Sequence, residues 1–140
     1  MQAHSLFFLV FLVSAAITVA GLHAGSAAEL VAEKDCTCGG VTYKAGNEVR
    51  LAVSGGRAGK YPADFFNREG LTLVNHPDCM QQTKNGVSNL LEFPLVQGKK
   101  FTGGVPGPDR AIFSRFTTRF CGCTRHPNPN SGAVVACTWR

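Results

Sequence analysis

The chain has 140 residues with a formal net charge of +5, and 44% of its residues are hydrophobic. A chain of this length has room for one domain with one modest core, which excludes a second domain. No run of Lys and Arg is longer than two residues, which also excludes a disordered basic arm, although the positive surplus favours polyanionic partners such as nucleic acid, anionic lipid or acidic polysaccharide.

The N-terminal segment predicts a secretory signal peptide. Residues 1–28 contain no Asp, Glu, Lys or Arg, residues 6–20 form a continuous apolar and small-residue block, and residues 26–28 supply a small-x-small cleavage site. A membrane anchor is the alternative, but an apolar block of about 15 residues is shorter than the roughly 20 needed to span a bilayer. We therefore expect residues 29–140 to form a single mature domain that is extracellular and not attached to a membrane.

All six cysteines lie in this mature domain: Cys36, Cys38, Cys79, Cys121, Cys123 and Cys137. An even number of cysteines in a chain bound for an oxidising compartment predicts three disulfides. Zinc is the alternative for the two Cys-x-Cys pairs, but a one-residue spacer is not the usual spacing of zinc ligands.

The first part of the mature domain predicts a short strand, CTCGGVTY, followed by one helix in AGNEVRLAVSGG. Asn47 can cap this helix, because Val49, Ala52 and Val53 then recur at helical spacing. The glycine pair at residues 55–56 is expected to end the helix after about two to three turns.

The rest of the domain predicts a long loop followed by a sheet. Residues 60–89 have the composition of a loop, and Cys79 can pin it to the domain. Short apolar runs between Gly and Pro turns then predict four or five antiparallel strands: NLLEFPLV, KKFTGG, DRAIFSRF, TRFCGCTRH and GAVVACTW. The expected fold class is α+β, with one short helix packed on a central antiparallel sheet of four to five strands and stabilised by disulfides.

Strand alternation gathers three polar side chains on one surface of this sheet. Glu92 lies on the face opposite its large apolar neighbours, since successive side chains of a strand alternate. By the same rule Arg110 lies on the face opposite Ala111 and Phe113, and His126 lies on the face opposite Cys121 and Cys123.

A carboxylate, a guanidinium and an imidazole on one surface of a basic domain are suited to cleaving RNA through its own 2′-hydroxyl. A base removes the 2′ proton, a fixed cation stabilises the charged phosphorane, and an acid protonates the departing 5′ oxygen. This reaction needs no metal or other cofactor. The alternative is structural: Glu92 and Arg110 form a salt bridge that ties two strands, and His126 is an exposed loop residue.

Five segments make the chain resemble the fungal guanyl-specific ribonucleases, the ribonuclease T-one and U-two class. They are YPADFFNREG at residues 61–70, LLEFPL around Glu92, GGVPGPDRAIF around Arg110, FCGCTRH ending at His126, and AVVACT near the C-terminus. The segments follow in family order over nearly the whole mature chain. The resemblance implies a metal-independent endoribonuclease that cleaves single-stranded RNA after guanine to a 2′,3′-cyclic phosphate and then hydrolyses it. We expect such an enzyme to be a monomer.

The resemblance also implies a role for each matching residue. Four residues match catalytic positions: the general base Glu92, the phosphate-stabilising Arg110, the general acid His126, and Tyr61, which hydrogen-bonds the phosphate. Three match the base site: Phe65, which stacks on guanine, Asn67, whose backbone and side chain line the pocket, and Glu69, whose carboxylate accepts the guanine N1 and N2 protons. Adenine lacks that pair of donors, so Glu69 favours guanine. The implied disulfides are Cys38–Cys137 and Cys79–Cys121, which leaves Cys36 with Cys123.

The chain departs from the family pattern at two places. Ala63 stands where the family has a histidine that assists the catalytic carboxylate, so we expect reduced activity. The acid loop reads TRHPNPNSG, and Val134 replaces a family phenylalanine on the leaving-group side, so we expect looser enclosure of the substrate. Three basic residues near the site could compensate by attracting phosphate, or could be ordinary solvated charges: Arg68, Arg119 and Arg125.

Two other functions fit the same sequence. A secreted effector with this fold could bind RNA or a host ribonucleoprotein without cleaving it, because a fold can persist after its chemistry is lost. An inert, disulfide-stabilised surface or antimicrobial protein would also have this size, charge and cysteine content.

Overall fold

The computed structural model describes residues 34–59, 61–67, 70–80, 83–84, 87–128 and 132–140. The predicted signal peptide at residues 1–28 lies outside the described residues, and so do Arg68 and Glu69. No helix in the described part of the chain is long and apolar enough to cross a membrane.

The elements are short and follow in this order. The chain begins with strands β1 (Cys36–Cys38) and β2 (Val41–Tyr43), a π-helical turn (Ala45–Val49) and helix α1 (Arg50–Arg57). Next come β3 (Ala63–Phe65), a 3-10 turn (Pro77–Cys79), β4 (Thr83–Lys84) and β5 (Val87–Ser88). The second half forms β6 (Leu90–Pro94), β7 (Asp109–Ser114), β8 (Phe120–Arg125), β9 (Val135–Ala136) and β10 (Thr138–Trp139).

A five-stranded antiparallel sheet in the order β3-β6-β7-β8-β9 forms the centre of the domain. Helix α1 packs on its strands β6 and β7, and a smaller sheet, β10-β1-β2, lies beside it. The predicted α+β class is therefore confirmed. Several details differ. The predicted loop contains three short strands, β3, β4 and β5, and in β3 the buried Phe65 pairs with Leu90. CTCGGVTY forms the two paired strands β1 and β2 rather than one, and KKFTGG forms no strand because Gly103 and Gly104 have positive φ angles.

The glycine pair does not end the helix as expected. Gly55 and Gly56 lie inside α1, where they let the helix backbone approach the sheet closely. A Cβ added at Gly55 would lie 2.8 Å from the ring of Phe93, and one at Gly56 would lie 2.2 Å from the ring of Phe113. Asn47 does not cap α1 either, because it lies within the preceding π-helical turn.

Three disulfides join the elements, and they are the pairs that the resemblance implies. Cys36–Cys123 ties β1 to β8, and Cys38–Cys137 ties β1 to the residue between β9 and β10. Cys79–Cys121 pins the 3-10 turn to β8, which is the pinning of the long loop predicted for Cys79. Closing such long loops removes conformational freedom from the unfolded chain.

The faces of the sheet follow alternation except at one bulge. Leu91 and Phe93 join the main core beneath α1, whereas Leu90 and Ile112 belong to a second cluster on the opposite face. Between β7 and β8 the register shifts, so that Cys121 is an extra residue and joins this second cluster. The prediction that Cys121 shares the face of Cys123 was wrong for this reason.

We expect Gly56→Ala to destabilise the domain by about 1–3 kcal/mol, because the new methyl group must displace the ring of Phe113. This loss should exceed the gain of up to about 1 kcal/mol that alanine normally brings to a helix. Gly46→Ala is the matched control, since a Cβ there meets nothing within 4 Å. Urea unfolding measures both, and equal stabilities of the two variants would contradict the packing argument.

Candidate active site

The sheet brings Glu92, Arg110 and His126 together on the face away from α1. Glu92 occupies the middle of β6, directly between Ala63 of β3 and Ile112 of β7. Arg110 lies two pairs further along β7, and His126 directly follows β8. The convergence predicted from strand alternation is therefore present in the structure.

Glu92 contacts both basic residues. Its Oε2 atom lies 3.1 Å from Nε2 of His126, and its Oε1 atom lies 4.0 Å from Nε of Arg110. All three side chains are largely buried, with 14%, 12% and 18% of the Glu92, Arg110 and His126 side chains exposed. Because an ionised carboxylate can only accept hydrogen bonds, a hydrogen bond between these atoms requires a proton on Nε2 of His126.

Backbone carbonyl groups fix the orientation of Arg110. Its Nη1 atom donates to the carbonyl oxygen of Asp109 at 2.9 Å and also to that of Gly107. Burial lowers the pKa of Arg110, while the negative charges of Glu92 and Asp109 oppose this shift. Arginine nevertheless stays charged at neutral pH, because its ordinary pKa lies far above neutrality. The site therefore has a fixed cation whose direction does not depend on a ligand.

A buried carboxylate lies directly behind Arg110. Asp109 is only 1% exposed and receives hydrogen bonds from Arg125 through Nε at 2.8 Å and Nη2 at 3.3 Å. The hydroxyl group of Tyr43 donates to Oδ2 of Asp109 at 2.8 Å. Burial, followed by this hydrogen bond, raises the pKa of Tyr43 to about 12. These contacts join β2, β7 and β8 immediately beneath the site.

Two of the three compensating arginines are already paired with acids. Arg125 binds Asp109, and its guanidinium covers Gly39, where an added Cβ would lie 1.2 Å from Nη1. Arg119 binds Asp78 at 3.3 Å. Both guanidinium groups are therefore engaged by carboxylates of the fold, and neither is an unpaired cation directed at the site.

Two cavities meet at Glu92. The arginine-side cavity has a volume of about 300 Å³, and the following residues line it: Tyr61, Ala63, Glu92, Pro94, Phe101, Gly104, Pro106 and Arg110. The histidine-side cavity has a volume of about 160 Å³, and its lining is Asp64, Phe65, Phe66, Glu92, His126, Gly132 and Val134. Glu92 borders both cavities, so one carboxylate can reach a group bound on either side.

Tyr61 has an unusual backbone conformation for its residue type. Its φ angle is +82°, and its ring packs edge-on against Phe101 with 5.7 Å between ring centroids. A Cβ added at Gly103 would lie 3.0 Å from the Tyr61 hydroxyl. Because positive φ costs about 1–3 kcal/mol in such a residue, the surrounding contacts must hold Tyr61 in place at the arginine-side cavity.

The residues expected to bind the base differ in how far they are exposed to the histidine-side cavity. Phe65 is 3% exposed and packs in the second cluster, so only the part of its ring that lines the histidine-side cavity can meet a ligand. Phe66, which the sequence analysis did not select, is half-buried in the same cavity. The Asn67 side chain makes two 2.7 Å hydrogen bonds to the backbone of Leu71, which closes the loop that contains Glu69. Glu69 itself lies outside the described residues.

An ion pair missed by the sequence analysis holds strand β3 in place. Asp64 binds Arg115, whose Nε also donates to the carbonyl oxygen of Ser88 at 3.0 Å. Ala63 is therefore kept opposite Glu92 at the edge of the arginine-side cavity. The sequence around Asp64 gives no sign of this ion pair, because its partner Arg115 lies 51 residues further along the chain.

The chain is similar in sequence to known ribonucleases. A family model described as ribonuclease matches residues 24–138. The chain is 28% identical over 108 residues to guanyl-specific ribonuclease U1 of Ustilago sphaerogena, covering 73% of this chain and 93% of that protein. It is 30% identical over 113 residues to extracellular guanyl-specific ribonuclease Fl1 of Gibberella baccata, covering 73% and 94%. The solved ribonuclease He1 of Hericium erinaceus aligns with a TM-score of 0.47 and 25% identity, covering 74% of this chain and 98% of that one.

Tyr43→Phe should destabilise the protein by about 1–2 kcal/mol at neutral pH, because Asp109 loses a hydrogen bond in a buried place. The pKa of Tyr43 is about 12 in the folded protein against an ordinary 10.0, so the unfolded chain releases the phenol proton first. The stabilising contribution of Tyr43 is therefore complete below pH 10 and is lost as the pH rises towards about 12. Urea midpoints of both proteins along this pH range test the effect, and a constant difference would contradict it.

Proposed function

Because the chain belongs to the fungal guanyl-specific ribonuclease family, we propose that it is a secreted endoribonuclease that cleaves single-stranded RNA after guanine without a metal. The product of the first step is a 2′,3′-cyclic phosphate, which the enzyme then hydrolyses slowly. The proposal depends on the site residues chosen from the sequence, above all on Glu92, Arg110 and His126.

The single observation that supports this function best is the position of Glu92. Its two carboxylate oxygens face a histidine at 3.1 Å and an arginine at 4.0 Å, at the junction of two cavities. A salt bridge that merely ties strands would require only Arg110. The additional imidazole supplies a second proton-transfer group, which a purely structural pair does not need.

In the proposed first step, Glu92 removes the proton of the 2′-hydroxyl group while the 2′ oxygen attacks phosphorus. Arg110 stabilises the additional negative charge of the phosphorane, and Tyr61 donates a hydrogen bond to a phosphate oxygen. The bond from phosphorus to the 5′ oxygen breaks, and His126 gives that oxygen its proton. In the second step His126 takes a proton from a water molecule as the water oxygen attacks phosphorus. The bond from phosphorus to the 2′ oxygen breaks, and Glu92 returns its proton to that oxygen.

The contact between His126 and Glu92 gives the site a way to reset when the cyclic phosphate leaves before it is hydrolysed. In-line displacement places the attacking and leaving oxygens on opposite sides of phosphorus, so substrate must separate the two side chains. After the first step Glu92 carries a proton and His126 has lost one. When the contact at 3.1 Å re-forms, the proton can return directly to the imidazole.

We assign the guanine preference to the histidine-side cavity and the adjoining loop. Glu69 is proposed to accept the N1 and N2 protons of guanine, which adenine does not offer. Asn67 supports this role indirectly, because its bonds to Leu71 hold the loop closed. The rings of Phe65 and Phe66 both line the cavity, and we propose that Phe66 shares the stacking role first given to Phe65.

Secretion and a monomeric state complete the proposal. The charge-free leader at residues 1–28 and the three disulfides support export to an oxidising compartment. The Gibberella baccata relative is named as extracellular, which agrees with this placement.

One observation favours the alternative, a protein that binds RNA or a ribonucleoprotein without cleaving it. Ala63 faces Glu92 across the β3–β6 pair, and both residues line the arginine-side cavity of about 300 Å³. The chain therefore lacks one proton-transfer group of its family while keeping the cation at Arg110. A site of this kind can keep its affinity for phosphate while the rate of RNA cleavage falls.

Purified mature protein should cleave an oligonucleotide with a single guanine in the presence of EDTA and leave a guanine-free oligonucleotide intact. The expected 3′ end is a cyclic phosphate on that guanine. Glu92→Gln keeps the size and a polar contact to His126 but removes the base, so we expect cleavage to fall by about 10²- to 10⁴-fold. Gel electrophoresis with mass analysis of the products measures both effects.

Three results would count against this proposal in different ways. Cleavage that needs added metal would remove metal independence, and cleavage at every base would remove the guanine preference. Binding of RNA without cleavage, unchanged in Glu92→Gln, would favour the binding protein.

Ala63→His should raise the rate of cleavage by about tenfold or more, because facing residues of an antiparallel pair are close enough for the imidazole to reach Glu92. The cavity already provides the space, and Ala63 is exposed, so the core is not disturbed. Ala63→Gln is the matched control, since it has similar length but no group that titrates near neutral pH. Initial rates on the single-guanine oligonucleotide provide the measurement.

The gain should disappear when His126→Ala is added, because the leaving oxygen then has no acid. An unchanged rate in a folded Ala63→His variant would mean that the altered loop after His126 limits the reaction.

A further inference from the structure

A third cavity lies next to the active site, on the other side of Phe101. We call it the lysine cavity, because Lys99 and Lys100 line it, and its volume is about 300 Å³. Phe101 lines both this cavity and the arginine-side cavity. In the loop that follows, Gly103 lines the lysine cavity and Gly104 lines the arginine-side cavity. One aromatic ring and one turn of backbone therefore separate the two spaces.

The lining of the lysine cavity is suited to an anion. Lys99 and Lys100 are exposed, and within the described part of the chain neither forms an ion pair. Gln97 and Thr102 add an amide and a hydroxyl group, both of which can donate hydrogen bonds. None of the described residues that line this cavity carries a carboxylate.

The loop that presents the lysines is held in place before any ligand binds. Glu48 contacts it from outside the cavity, where its oxygens accept hydrogen bonds from the backbone N–H groups of Lys44 at 2.9 Å and Gly98 at 3.1 Å. The stem of Lys100 lies against helix α1, since a Cβ added at Gly55 would be 2.9 Å from its Cε atom. A loop fixed in this way loses less conformational freedom when it binds an anion.

We propose that the lysine cavity binds a backbone phosphate of the RNA substrate, next to the phosphate that lies at Arg110. This inference rests on the proposed ribonuclease function. An RNA strand carries one negative charge per nucleotide, so a strand held in the arginine-side cavity must place its neighbouring charges near the borders of that cavity. At the Phe101 border, two lysines without ion-pair partners in the described structure are available, and lysine binds phosphate as a compact point charge.

The test compares substrates that have one phosphate with substrates that have several. For Lys99→Ala/Lys100→Ala, kcat/KM on an oligonucleotide with one central guanine should fall about tenfold at low salt, whereas kcat/KM on the dinucleotide GpU should stay within about twofold. The slope of log kcat/KM against log salt for the oligonucleotide should become shallower by about 0.7, which corresponds to one lost phosphate contact on a single strand. The charge-conserving variant Lys99→Arg/Lys100→Arg should keep most of the wild-type kcat/KM on the oligonucleotide.

The matched control is Arg50→Ala/Arg140→Ala, which removes the same formal charge at exposed positions outside the lysine cavity. If this control loses as much activity on the oligonucleotide, the effect is general electrostatics and the subsite is refuted. Equal losses on GpU and on the oligonucleotide, or no loss on either, also refute it.

A binding measurement separates this inference from the proposed function. An oligonucleotide with 2′-deoxyguanosine at the central position cannot be cleaved, so its affinity does not depend on catalysis. If the wild-type protein cleaves nothing, the proposed enzyme function fails, but tighter binding by wild type than by Lys99→Ala/Lys100→Ala still supports the subsite. Equal affinities, or competition by an acidic peptide at the same concentration as by the oligonucleotide, would overturn it.

Discussion

The arrangement of this site depends on one buried carboxylate, that of Asp109. A carboxylate with 1% exposure is unfavourable unless it is paired and fully hydrogen-bonded, and here Arg125 and Tyr43 supply three donors. The pairing sets the register at which β7 meets β8, so the residue after Asp109 and the residue after Arg125 turn to the same face. Those two residues are Arg110 and His126. The backbone adds a further link, because the N–H group of His126 donates to the carbonyl oxygen of Pro108 at 2.8 Å.

Strand alternation was enough to predict the convergence of the site, because alternation is a local property of each strand. It placed Glu92 and Arg110 correctly without any knowledge of which strands are neighbours. It failed at Cys121, since a bulge is an event between two strands that neither sequence reveals alone. The buried pair of Asp109 and Arg125 was missed for the same reason, because it depends on strand register.

Helix α1 shows the other limit of sequence reasoning, which concerns packing distance. Glycine usually signals the end of a helix, and Gly55 and Gly56 were assigned that meaning. Their real role is to bring the helix backbone into contact with the aromatic rings of β6 and β7. The prediction for Phe65 was limited differently. The resemblance assigns its ring to stacking on a base, but alternation in β3 turns that ring into the second cluster and leaves little of it at the histidine-side cavity. Phe66 adds the surface that Phe65 buries.

Different parts of the fold carry the proposed proton-transfer residues and the proposed phosphate-binding lysines, and Ala63, where the family has a histidine, lies with the first group. Glu92 is carried by the central sheet, and His126 is tied to its end, so proton transfer depends on strand pairing. Lys99 and Lys100 lie instead on the segment between β6 and β7. That segment is fixed near one end by Glu48 and near the other by the hydrogen bond from Arg110 of β7 to the carbonyl oxygen of Gly107. Ala63 belongs to β3, which is an edge strand of the central sheet and pairs with β6. In the proposed mechanism, a change at that position therefore alters the proton transfer next to Glu92 and leaves the positive charge of Lys99 and Lys100 in place.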